Sequence, residues 1–187
     1  MALWIVIGIV GVLVVWMIAT YNRLIGLRNQ TANGWRQIDV QLKRRHDLIP
    51  NLVGTVRGAM EFERDTLTRV VDARARAVAA TGPAEAARRE GELTQALGRL
   101  FAVAENYPTL RANENVKMLQ EELTSTENKI GFARQFYNDI ATKYNISQQT
   151  FPANMMATSF GFTPAELFEL QNETERQVPA VDLSMRK

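Results

Sequence analysis

Hydrophobic positions along this chain fall into three regimes. From Ala2 to Ala19 they are continuous, from Leu24 to about Gln148 they recur every three or four residues, and after Phe151 they lose that period and become aromatic and Met-rich. The first regime, ALWIVIGIVGVLVVWMIA, meets the criterion of about 18 uncharged apolar residues for a membrane-crossing helix. A cleaved signal peptide would need a basic start, a shorter apolar region and a small-x-small site. Instead no Lys or Arg precedes the run, and Trp16, Met17 and Ile18 fill the place where small residues would sit. An uncleaved anchor over residues 1–20 is therefore expected, with Trp4, Trp16 and Tyr21 at headgroup level, where amphipathic rings settle.

The second regime reads as helices. Leu24, Leu27, Trp35, Ile38, Leu42, Ile49, Leu52 and Val56 keep helical spacing, and nothing between Thr20 and Asn22 signals a turn, so the anchor runs on into this helix. Pro50 should kink it, or Asp47 should cap a new helix, because proline lacks an N–H and clashes with the preceding turn. A second helix is expected over 61–80, ended by Thr81-Gly82-Pro83, and a third over 84–104, ended near Pro108. The clearest run is Val116, Leu119, Leu123, Thr126, Ile130, Ala133, Tyr137, Ile140 and Tyr144, unbroken steps of three and four in a helix from about Leu110 to Gln148. The fold class expected is all-α: a transmembrane helix, then an antiparallel four-helix bundle with long coiled-coil-like helices over 21–150. A single long helix over 21–80, folded back on 84–148, is the competing layout.

The third regime, 151–187, brings Phe151, Met155, Met156, Phe160, Phe162 and Phe168 together, with Pro164 placed to start a short helix from Ala165 to Gln171 and a mobile polar end. If the last long helix runs back toward the membrane, these six residues become candidates for oligomer or interfacial contact. The blander reading folds them over the bundle as a lid.

Charge changes the picture in one place. Net charge is only +2, but residues 21–60 hold Arg23, Arg28, Arg36, Lys43, Arg44, Arg45 and Arg57 against Asp39 and Asp47. Arg23 and Arg28, just past the anchor, are candidates for lipid headgroup contact and favour a cytoplasmic body by the positive-inside rule. The short run Lys43-Arg44-Arg45 lacks interleaved aromatics, so no nucleic-acid partner is expected.

Candidate chemistry is sparse. There is no Cys, which removes disulfides, thiolate metal sites and Cys nucleophiles, and His46 is the only histidine, without metal-ligand spacing around it. No cofactor and no metal are expected. Catalysis is left only a Glu-Arg-His cluster assembled by the fold itself. Asp39, Arg44, Arg45, Asp47, Glu105, Glu127 and Arg134 are candidates for a polar network between helices that fixes register. Asn106, Asn113, Asn138 and Asn145 are placed to satisfy exposed backbone groups.

The motifs resemble those of the LemA family of bacterial membrane-anchored proteins. The likeness runs through Tyr21-Asn22, WxQIDVQLKRRHDLIPNLV from Trp35 to Val53, AENYPxLxAN from Ala104 to Asn113 and LQxxLxxTExxI from Leu119 to Ile130. It continues with Ala133-Arg134, Tyr137-Asn138, Tyr144-Asn145 and Phe151-Pro152. The resemblance implies a four-helix bundle behind a membrane segment and no established enzymatic activity. Magnetosome-associated proteins of the MamQ type are similar, which implies membrane organisation. Gly34 stands where the family pattern has Ala and should add flexibility. Some family members look like lipoproteins with a Cys-containing signal, which implies a body outside the cytoplasm, against the charge argument.

The function expected is a non-enzymatic scaffold or adaptor in the cell membrane. Its partners would be the lipid bilayer, other copies of itself as a homo-oligomer, and a membrane protein. The alternative is an accessory subunit of a membrane protease or other membrane enzyme.

Overall fold

A computed structural model describes residues 1–60 and 63–169. Among these the regular structure is all helical: α1 (Ala2–Arg57), α2 (Arg64–Ala79), α3 (Pro83–Ala104), α4 (Pro108–Arg111), α5 (Glu114–Gln149) and α6 (Ala153–Ser159). The breaks fall where local chemistry demands them. Gly82 takes φ +79, open to glycine without steric cost, and Pro83 then opens α3 with its missing N–H among groups that have no helical partner anyway. Glu85, one turn in, accepts the Thr81 N–H at 3.1 Å. That bond holds its carboxyl below the usual range. Asn113 caps α5, its Oδ1 accepting from the N–H groups of Asn115 at 2.9 Å and Val116 at 3.4 Å.

α1 runs unbroken through Pro50, so neither a new helix at Asp47 nor a long helix over 21–80 is formed. Pro50 cannot donate to the His46 carbonyl four residues back. Arg74 of α2 fills the gap, its Nε donating to that oxygen at 2.7 Å. At about 1.5 Å per residue the helix spans roughly 84 Å. Its first part carries exposed side chains, and its second part carries the core.

α5 packs along α1 and α3 along α2. The α1/α5 pair is antiparallel, because Arg44 meets Glu122 while Gly34, earlier in α1, meets Tyr137, later in α5. One cluster, far from the apolar stretch, joins Ile49, Leu52 and Val56 to Val70, Leu93, Leu100 and Leu119. A second, nearer to it, joins Ile38 and Leu42 to Ala87, Ile130, Tyr137 and Phe168. Gly34 is buried here, and a Cβ on it would sit 3.4 Å from the Tyr137 Cα. Close approach of two backbones, rather than flexibility, is what this position supplies.

The chain after α5 departs from expectation. The short helix is Ala153–Ser159, ahead of the expected one, and residues 162–169 have no regular structure, so Ala165–Glu169 is not helical. Side chains of α5 take up the main-chain groups that a helix would have paired internally. The expected mobile end lies outside the described residues.

Candidate functional site

Two asparagines one heptad apart on α5 build the first half of the site. Asn145 accepts the Ala165 N–H at 2.8 Å and donates to the Ala165 carbonyl at 2.9 Å. Asn138 does the same for Phe168, at 2.9 and 3.1 Å. A primary amide has a donor and an acceptor side by side, so it can pair with a residue's N–H and C=O as a neighbouring strand would. Between them the Tyr137 hydroxyl donates to the Glu166 carbonyl at 2.6 Å. Burial, with the nearby Glu166 carboxylate, pushes the Tyr137 phenol up to about 12. Tyr144, one heptad on, is also raised by burial, opposed by Arg28.

This strap decides where the aromatic residues go. Phe168 is buried beside Trp35, ring centres 6.0 Å apart, and Trp35 meets Tyr137 at 5.9 Å. Phe168 and Met156 therefore serve the protein's own interior and are withdrawn from the expected contact surface. Phe160 and half-buried Phe162 pack on Tyr21 at 5.0 and 5.9 Å. Phe151, Met155 and Phe160 stay exposed. Tyr21 is thus shared between the end of the apolar run and the returning tail. Trp4, Trp16, Arg23 and Arg28 are exposed along α1.

The second half is a buried ionic cluster. Arg45, Glu90 and His46 are 4%, 4% and 8% exposed. Arg45 meets Glu90 Oε2 at 3.1 Å, Glu127 Oε2 at 2.7 Å and the Thr94 hydroxyl at 2.8 Å. His46 Nε2 lies 2.6 Å from the other Glu90 oxygen. A carboxylate only accepts, so that nitrogen carries the hydrogen. Arg44 pairs with Glu122 at 2.6 Å on the surface.

The structure thus brings Arg45 and Glu127 of the expected network together and gives Arg44 a different partner. Asp39, Asp47 and Glu105 are exposed and Arg134 is half-buried, and none of the four forms an ion pair among the described residues. Asp39 and Asp47 each follow a buried residue by one position, which turns them to the outer face of α1. Glu90 is absent from the expected network, yet the sequence carries a trace of it. Arg45 stands in register between Leu42 and Ile49, and Glu90 between Ala86 and Leu93. Each is a charge where the three-four spacing calls for an apolar residue.

The LemA family sequence profile matches residues 34–183, which take in every residue of the strap and of the ionic cluster. The chain belongs to the LemA family. Magnetosome protein MamQ 2 of Paramagnetospirillum magneticum is 27% identical over 179 residues, 82% of this chain. MamQ of Magnetospirillum gryphiswaldense is 24% identical over 178 residues, 81% of this chain. Protein LemA of Metamycoplasma hominis is 27% identical over 159 residues, 83% of this chain and 71% of its own. The match spans just under two thirds of each MamQ chain, 66% and 65% of their lengths. Among the described residues, this LemA family chain has one helix long and apolar enough to cross a membrane, with none of its apolar window buried.

Proposed function

We propose that this LemA family chain is a non-enzymatic, single-pass membrane scaffold whose body, read as an antiparallel four-helix bundle, associates with further copies of itself. The observation that carries this reading is the continuity of α1: the exposed apolar run and the helix that bears both core clusters are one helix, so the body is fixed rigidly to its anchor. The buried cluster has both Glu90 oxygens engaged, by Arg45 and by His46, an arrangement suited to holding helices in register rather than to turning over a substrate. Phe160, packed on Tyr21 at the anchor's end, and the exposed Phe151 and Met155 that precede it are suited to the headgroup region, and Arg23 and Arg28 favour a cytoplasmic body.

A second reading, an accessory subunit of a membrane protease or other membrane enzyme, is favoured by a separate feature. Val40, Phe132 and Phe136 lie exposed along the α1/α5 seam, flanked by Arg36 and Lys129. Crosslinking in intact membranes followed by mass measurement separates the two. A ladder of self-adducts supports the scaffold; a single stoichiometric foreign adduct supports the accessory role and ends the first reading. Protease added to intact spheroplasts should spare a cytoplasmic body and digest an external one.

A further inference from the structure

Residues 162–169 are held in an unusual way. Five hydrogen bonds bind them to α5, and every one ends on a main-chain atom of the segment: the N–H and C=O of Ala165, the C=O of Glu166, and the N–H and C=O of Phe168. One side chain, Phe168, is fully buried, against Trp35 and Tyr137. This is the logic of extended-peptide capture, in which main-chain bonds give affinity and one side-chain pocket sets the specificity. The α1/α5 surface is a peptide groove, occupied by the chain's own tail.

We propose that this groove also takes residues 162–169 of a second copy, so that neighbouring copies are joined by exchanged tails. The inference rests on the self-association reading above and names the element that performs it. The occupant is fixed by complementarity already present: a second copy offers the same main chain and the same phenylalanine at the same spacing. Closed and exchanged forms make the same five bonds to α5, so they differ in tether entropy and in the Phe162 N–H bond to the Ala157 carbonyl, 2.9 Å, that spans the hinge, a small difference of the kind that lets segments exchange. The hinge is available. Gly161 has φ +68, no atom lies within 4 Å of where its Cβ would be, and the residues that follow have no regular structure to unfold.

From Gly161 to Ala165 an extended chain covers up to about 14 Å, so exchange requires the α5 helices of the two copies to lie side by side, at the 8–10 Å between axes of packed helices. Two copies anchored in one membrane present groove and tail at the same height, and the shared surface raises the effective concentration of each for the other.

The test uses the full chain. Unlabelled and nitrogen-15-labelled protein, each with Phe168 replaced by the photocrosslinking analogue benzoylphenylalanine, are mixed in detergent, reconstituted into vesicles of neutral and anionic phospholipid and irradiated. Adducts between the 168 peptide and the peptides carrying Trp35 or Tyr137 are then read by mass. Exchange gives mixed-isotope adducts in numbers comparable to same-isotope ones. Because the larger ring could disturb the pocket, a second measurement relies on the absence of native Cys. Copies carrying only Ala165→Cys are mixed with copies carrying only Asn145→Cys, which gives up two of the five bonds and keeps those of Tyr137 and Asn138, so any heterodimeric disulfide is formed in trans. Mixed-isotope adducts or the heterodimer support exchange; absence of both overturns it. A protein that self-associates but shows neither keeps the scaffold reading and loses only this one.

Discussion

Arg74 donates to the carbonyl oxygen of His46, the acceptor that Pro50 leaves without a helical partner. One side chain from α2 thereby lets a proline stand inside a 56-residue helix. Losing a partner for such a group costs about 1–3 kcal/mol. Arg74→Met should therefore lower stability by roughly that amount, while in a Pro50→Ala background, where the helix supplies its own N–H, the same change should cost clearly less. Denaturant unfolding of the four variants gives the coupling, and equal losses in both backgrounds would assign Arg74 to something else.

The ionic cluster separates a buried partner from an exposed one. Glu90→Ala leaves Arg45 in the core with its inner partner gone and should cost about 3–5 kcal/mol. Glu127, whose side chain is 48% exposed, forms the shorter bond to the same guanidinium. Solvent screening should nonetheless hold the Glu127→Gln loss to about 1 kcal/mol or less. Thermal unfolding of the two variants checks the order, which bond length alone would reverse.

For the strap, Asn138→Ala and Asn145→Ala each delete a donor and an acceptor at once. Either should free part of residues 162–169, and the pair should free all of it, seen as faster amide exchange at Ala165 and Phe168 with the α5 amides still protected. Asn138→Asp retains the acceptor and loses the donor, so it should fall between. Uniform loss of protection through α5 would mean that the asparagines hold the helix rather than the tail.

Alkaline pH should act through Tyr137. Its phenol titrates near 10 when unfolded and is pushed up to about 12 in the fold, so the native state holds the proton more tightly. The stabilisation is complete below about pH 10 and is lost as pH rises toward about 12, when the phenolate can no longer donate to Glu166. Tail release in that window should be visible in Trp35 fluorescence and should be blunted in Tyr137→Phe, which starts with a looser tail. An unchanged pH profile in that variant would remove Tyr137 as the cause.

Gly34 tests how close α1 and α5 lie. An alanine Cβ would meet Tyr137 and Phe136 at 3.4 to 3.6 Å, ordinary contact, so Gly34→Ala should be neutral or gain up to about 1 kcal/mol from helix propensity. Gly34→Leu has no such room and should cost about 1–3 kcal/mol. Chemical denaturation of both decides it, with a tolerated leucine arguing for a looser seam.

Several elements are legible in the residues alone. The apolar run announces itself by length, the α5 stripe by spacing, and the ends of α2 and α3 by Gly82, Pro83 and Pro108. The site is legible only in fragments. Arg45 and Glu127 are picked out as network candidates while Glu90, though also a charge at an apolar position of its helix, is not, and Phe168 reads as part of an outer surface that it does not reach. Asn138 and Asn145 read as backbone-satisfying residues, but nothing near them in the chain names the backbone they satisfy.

The division has a physical cause. Helix period, the φ restriction of proline and the length of an apolar run are properties of neighbouring residues, so the sequence alone determined the course of the long helices up to the end of α5 and which stretch suits a membrane, but not the continuity through Pro50 or the place of the helix after α5. Which charge meets which, and where the tail lies down, depends on residues brought together from afar: His46 and Arg74 are 28 positions apart, Arg45 and Glu90 are 45 apart, and Asn138 and Phe168 are 30 apart. Only the packed tertiary structure decided those pairings, because a buried polar group must take its partner from whatever the fold places beside it.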